Sequence, residues 1–175
     1  MTWSASQDIL YEDEAILAVN KCAGISVIHD RLRLDAPTLL EVLSAQFGRL
    51  WVVHRLDRET SGVMLFARTE QAHKHLNCQF QSRNVRKTYH LLACGGFPWQ
   101  SIEVNAPLRI NGDRQHRTIV DLQAGKPAQT NFEILQKYSH NLYFLSANPH
   151  SGYTHQIRVH LASLNGCILY ERLYK

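Results

Sequence analysis

Cysteine is scarce and scattered: the four residues (Cys22, Cys78, Cys94, Cys167) form no CxxC pair. That usage fits reduced, mostly buried thiols in a cytosolic protein, and argues against a disulfide framework or a zinc site. No apolar run approaches the roughly 18 residues of a membrane-spanning helix, so no membrane partner is expected. The opening stretch, MTWSASQDILYEDEA, lacks a basic region followed by an apolar one and does not read as a secretory signal. There is no GxxxxGK loop followed by Ser or Thr, and no GxGxxG after a strand, so nucleotide cofactors have no visible cradle. Ser61 lies in TSG and not in GxSxG, which gives a serine hydrolase little support. There is no HExxH, and His150, His155 and His160 are spaced five apart, which does not stack on one helix face. No metal-ligand set results.

What is present is a chain of 175 residues, 45% of them hydrophobic, enough to bury a real core. With no repeats, low-complexity tracts or linkers, it reads as one catalytic-sized domain over 1–175. The balance is basic, 19 Lys and Arg against 15 Asp and Glu, net +4, with pI about 9.0. Between Arg83 and Arg117 six cations (Arg83, Arg86, Lys87, Arg109, Arg114, Arg117) face two acids, Glu103 and Asp113. Such clustering suits a phosphate backbone, although a solvated basic face would look the same.

ILAVNK (16–21) reads as a strand. Thr38 followed by Glu41 is a capping box opening a helix that Gly48 stops. LWVV (50–53) and VMLFA (63–67) read as strands, and Thr69 caps a helix through about Gln81 with Ala72, Leu76 and Phe80 on one stripe. VRKTYHLLA (85–93) alternates as a strand with Val85, Lys87, Tyr89, Leu91 and Ala93 on one side. Asn111-Gly112 signals a hairpin. NFEILQKY and NLYFLSA are strand-like, and THQIRVHLASLNG predicts a helix capped by Thr154, with Ile157, Leu161 and Leu164 inward and Gly166 ending it. The sum is α+β, with a mixed, mostly antiparallel sheet flanked by a few helices.

One stretch departs from ordinary turn chemistry. HRLDRETSG (54–62) packs His, two Arg, Asp and Glu between two apolar strands, where a plain turn asks for Gly, Asn, Asp or Pro. Asp57, between Arg55 and Arg58, would be held ionised by that positive charge, fit to act as nucleophile or base, or else simply be salt-bridged. Tyr89, on the face of Lys87, offers a platform for a flat base, or is ordinary core. Arg158, flanked by Ile157 and Val159, needs a carboxylate partner, for which Asp57 is the candidate.

Four collinear segments carry a resemblance: HRLDRETSG (54–62), RKTYHLLACG (86–95), GKPAQTNFEIL (125–135) and SGYTHQIRVHLASLNG (151–166), preceded by ILAVNKCAGISV (16–27). Together they resemble the RluA-type RNA pseudouridine synthases over nearly the whole chain, from about Ile9. The resemblance implies a pseudouridine-synthase fold with a central active-site cleft and a reaction that turns a uridine of ribosomal or transfer RNA into pseudouridine. It makes Asp57 the catalytic carboxylate, Tyr89 the residue that stacks on the base and removes a proton, and Arg158 the partner of Asp57. Arg55 is the residue that helps displace the uridine. His54, Arg58, Arg86, Lys87, Arg114, Arg117 and His155 are the expected RNA contacts. No cofactor, no metal and no obligate protein partner are implied, and a cytoplasmic monomer is expected.

The chain departs from the family pattern in two places. Tyr153 stands where the family has arginine, and Tyr170 and Glu171 stand where it has glycine and aspartate. Because the family continues beyond ILGD while this sequence reads ILYERLYK, a catalytic domain shortened on its C-terminal side is expected, without a separate N-terminal RNA-binding domain. Two rivals remain: an inactive RNA-binding module of the same fold, and a metal-dependent phosphate-binding hydrolase built on the histidines.

Overall fold

Alternating apolar residues in the N-terminal half build an all-antiparallel sheet, seen in a computed structural model that describes residues 8–29, 36–138 and 141–174. Residues 1–7, which begin the stretch read as lacking a secretory signal, lie outside the described residues. Contacts divide the chain into two compact units, Met1–Val85 and Arg86–Lys175.

The first unit runs β1 (Ile9–Glu12), β2 (Ile16–Lys21), α1 (Leu39–Phe47), β3 (Trp51–Val52), β4 (Gly62–Ala67) and α2 (Glu70–Gln81), with sheet order β1-β2-β4-β3. Leu17 and Val19 of β2 and Met64 and Phe66 of β4 are fully buried, and pack with Leu39 and Leu43 of α1. The capping box holds: the Thr38 hydroxyl accepts the Glu41 N–H, and the Glu41 carboxylate accepts the Thr38 N–H. Those bonds, the first among them from the Thr38 backbone and the next from His29, draw the Glu41 carboxyl down to about 2. Thr69 caps α2 through the Ala72 N–H. The α2 stripe is only half-buried, and rings do much of its docking: Phe80 stacks on His54 and His73 on Trp51.

The second unit runs β5 (Tyr89–Cys94), β6 (Ser101–Asn105), β7 (Leu108–Arg109), β8 (Ile119–Val120), β9 (Gln129–Lys137), β10 (Leu142–Pro149), α3 (Gln156–Ala162) and β11 (Cys167–Ile168). Its main sheet is β11-β5-β10-β9-β6, again antiparallel throughout, with β7-β8 as a separate pair. Leu91, Ala93, Phe132, Leu145, Ala147 and Leu161 form its core. The α+β expectation stands, with three helices among the described residues.

Three local expectations need correction. The strand read from Val85 begins only at Tyr89, because Lys87 is drawn aside: its ammonium donates to the Ser151 carbonyl and its own carbonyl accepts the Asn148 amide. Asn111-Gly112 does not make a two-residue hairpin; residues 110–118 form a wider loop closed by Gly112 N–H to the Arg117 carbonyl. Glycine is required there, since a Cβ would lie 2.4 Å from Ile119. Thr154 does not cap α3: the cap is His155, left-handed at φ +58°, without a side-chain cap bond. Tyr170, where the family has glycine, also lies in the left-handed region, at φ +64°. That conformation costs a bulky L-residue about 1–2 kcal/mol.

Candidate active site

In the first unit, the charged loop between β3 and β4 is fixed chiefly through backbone atoms. His54 Nε2 accepts the Leu65 N–H of β4 at 2.9 Å, so that nitrogen carries no proton, and its ring stacks on Phe80 at 4.7 Å. At the far end, the Arg58 carbonyl accepts the Gly24 N–H at 2.8 Å while Arg58 Nε donates to the Gly24 carbonyl at 2.9 Å. Gly24 reaches this position at φ +95°, which favours glycine. Between these ties the Asp57 carbonyl accepts the Thr60 N–H at 3.0 Å, turning the chain directly after the half-buried Asp57.

Beneath the loop lies Lys21, fully buried at the end of β2. Its ammonium donates to the carbonyls of Cys22 (2.9 Å), Ile25 (2.9 Å) and Arg58 (3.1 Å), using all three of its donors. Burial lowers its pKa, while the nearby Cys22, Glu59 and Asp57 oppose the shift. A cation is thus built into the floor of the loop that carries Asp57. Nothing in the sequence singled it out, because a lysine closing a strand reads as a surface residue.

In the second unit, Tyr89 lies against the core, level with Ala147 in the sheet. The turn preceding α3 is tied by Gln156. Its Oε1 accepts from the Ser151 hydroxyl and the Tyr153 N–H, and its Nε2 donates to the Gln129 carbonyl and the Thr130 hydroxyl. Arg158, two residues further along α3, is gripped by Glu171: Nε donates to Oε2 at 2.6 Å and Nη2 to Oε1 at 2.7 Å. The carboxylate is buried, which alone would raise its pKa. The Arg158 bonds and the N–H groups of Leu173 and Arg172 outweigh that and bring it to about 2. Tyr174 places its ring 5.1 Å under the guanidinium, shares a 2.9 Å hydrogen bond with His155 Nδ1 and accepts the Thr118 N–H.

The expected RNA contacts divide by environment. Arg55, Arg86 and Arg114 are exposed. Arg117 is committed to structure: it donates to Asp113 at 2.6 Å and to the Leu173 carbonyl at 2.8 Å. His54, Arg58, Lys87 and His155 hold the loops just described. The carboxylate that grips Arg158 was missed, although the sequence places Glu171 at a family aspartate. An open groove of about 400 Å³ on the five-stranded sheet contains none of these residues, and its Glu103 and Glu133 give it the wrong sign for phosphate. Among the described residues, no group of three or more His, Cys, Asp or Glu side chains is placed to hold a metal ion. No helix among them is long and apolar enough to cross a membrane.

Residues 15–163 match the family model described as RNA pseudouridylate synthase. The chain belongs to that family. Within it the RluA type is supported by the dual-specificity RNA pseudouridine synthase RluA of Pasteurella multocida, 30% identical over 95% of this chain and 76% of that protein. The ribosomal large subunit pseudouridine synthase C of Vibrio cholerae is 38% identical over 168 residues, 95% of this chain but 52% of that protein. The chain thus spans about half the length of the large-subunit synthases C it matches. Among solved structures, human RNA pseudouridylate synthase domain containing 1 superposes with a TM-score of 0.80 at 25% identity, covering 100% of this chain and 73% of that one.

Proposed function

We propose that this chain is the catalytic domain of an RNA pseudouridine synthase that isomerises a uridine in folded ribosomal or transfer RNA. The observation that carries the reading is the loop 53–61, which is tied to β4 through the His54 ring and to the Gly24 turn through Arg58 while it holds the half-buried Asp57. The reaction needs such a carboxylate. The bond from ribose C1′ to N1 of the base breaks, the base turns, C1′ bonds to C5, and the C5 proton is lost while N1 gains one.

Asp57 takes part as the glycosidic bond breaks, either adding to C1′ or stabilising positive character on the sugar. Tyr89 stacks on the base and removes the C5 proton. Arg158 supplies the cation that the family sets against its catalytic aspartate. Arg55 helps to displace the uridine, which must leave its helix before a carboxylate can reach C1′. Phosphate contacts come from the exposed Arg86 and Arg114, with His54, Arg58, Lys87, Arg117 and His155 lining the RNA path. Atoms and electrons balance within the uridine itself, so the step asks for no cofactor, and the domain works as a cytoplasmic monomer.

Tritium release from RNA labelled at uridine C5 tests the reading. The wild type releases label, and Asp57→Asn releases none while binding RNA within a few-fold. Loss of binding in Asp57→Asn would make Asp57 structural. A folded wild type that binds RNA and releases nothing would leave an inactive RNA-binding module.

A further inference from the structure

Tyr170 combines two features that nothing around it offsets. Its backbone is left-handed at φ +64°, a conformation in which the family's glycine would sit without strain. Its side chain is 89% exposed, so the ring recovers nothing by burial among the described residues.

The segment around it is nonetheless held firmly. The Leu169 N–H donates to the Leu92 carbonyl and the Glu171 N–H to the Ile168 carbonyl. Glu171 grips Arg158 and also accepts the N–H groups of Arg172 and Leu173 through Oε1. Tyr174 is buried and bonded to Thr118 and His155. Between the buried anchors Glu171 and Tyr174, the exposed residues are Arg172 and Leu173, with Tyr170 just outside. A rigid ledge therefore presents an aromatic ring and a guanidinium two residues apart. Stacking face plus cation is the pairing by which proteins hold unpaired nucleotides.

We propose that Tyr170 is a stacking platform for an unpaired base of the RNA substrate, with Arg172 holding the adjoining phosphate. This rests on the RNA reading above and deepens it. The base recognised is an unpaired one outside the target uridine, and the platform stands where the family pattern that this chain resembles has glycine. It makes residues 170–172 determinants of which RNA is chosen.

The test compares wild type, Tyr170→Gly, Tyr170→Trp and Arg172→Ala for binding to an unmodified large-subunit ribosomal RNA transcript over a salt series, together with thermal melting. Tyr170→Gly removes both the strain and the ring. It is expected to melt about 2–4 °C higher yet bind RNA about 5- to 150-fold more weakly, whereas Tyr170→Trp retains affinity. Arg172→Ala is expected to reduce the salt slope by about one. A Tyr170→Gly chain that binds within twofold of wild type overturns the platform. Failure of the wild type itself to bind removes the RNA reading and the platform with it, and shows in a different sample.

Discussion

Replacing Lys21 by Met tests how the loop that carries Asp57 is held. Methionine matches the stem of lysine but donates nothing, so the carbonyls of Cys22, Ile25 and Arg58 each lose a bond of 2.9–3.1 Å. The Arg58 carbonyl keeps the Gly24 N–H, leaving Cys22 and Ile25 as the groups most affected. Hydrogen bonds to a charged donor contribute about 1.5–3 kcal/mol each, and a buried acceptor left without one costs about 1–3 kcal/mol. Against this, Met avoids burying an ammonium, which returns part of the loss. The net expectation is a destabilisation of about 2–4 kcal/mol, or a melting temperature lower by about 5–15 °C. Because the loop shifts with its floor, tritium release by the still-folded variant at 25 °C should fall by about 10- to 100-fold. Calorimetry and the release assay read both effects. A variant that melts within about 2 °C of wild type and keeps its rate would refute the bracing role of Lys21.

Two further predictions concern the Glu171 carboxylate and the α1 cap. Glu171, held at about 2 against 4.5 when unperturbed, contributes stability that is fully present above about pH 4.5 and is lost as pH falls towards 2. Acid melting curves of wild type and Glu171→Gln should therefore converge through that window, and curves separated by a constant gap down to pH 2 would count against the Arg158 pairing. Thr38→Ala removes the hydroxyl half of the α1 capping box and should cost about 1 kcal/mol, readable as a drop of about 2–4 °C in melting temperature; no drop would mean that α1 is held by burial of Leu39 and Leu43 alone.

The elements that could be read from the sequence are those whose signals are local. Thr38 with Glu41, Thr69, and the alternation in ILAVNK and VMLFA each fix a cap or a strand within a few residues, and each lies where the pattern placed it. What escaped was decided across the chain. The α3 cap fell on His155 because the Thr154 carbonyl is drawn to the Thr118 hydroxyl and Gln156 ties down the turn before it. Lys21 is buried because it meets a carbonyl 37 positions away, and no periodicity reports that. Arg158 did need a carboxylate, as its apolar neighbours implied, but spacing could not show that Glu171 would supply one. The charged density of HRLDRETSG marked the loop that the fold braces, and that density was the most informative feature in the sequence.

The bracing of that loop has an evolutionary consequence. Several of its ties end on main-chain atoms: Leu65 N, both polar groups of Gly24, and the carbonyls of Asp57 and Arg58. Main-chain atoms survive substitution, so the exposed side chain of Glu59 is open to replacement without moving the nearby carboxylate of Asp57. Such a loop behaves as a cassette, with the Asp57 carboxylate held in place and an exchangeable neighbour beside it. On the function proposed above, drift at that neighbour would retune which RNA is accepted without displacing Asp57.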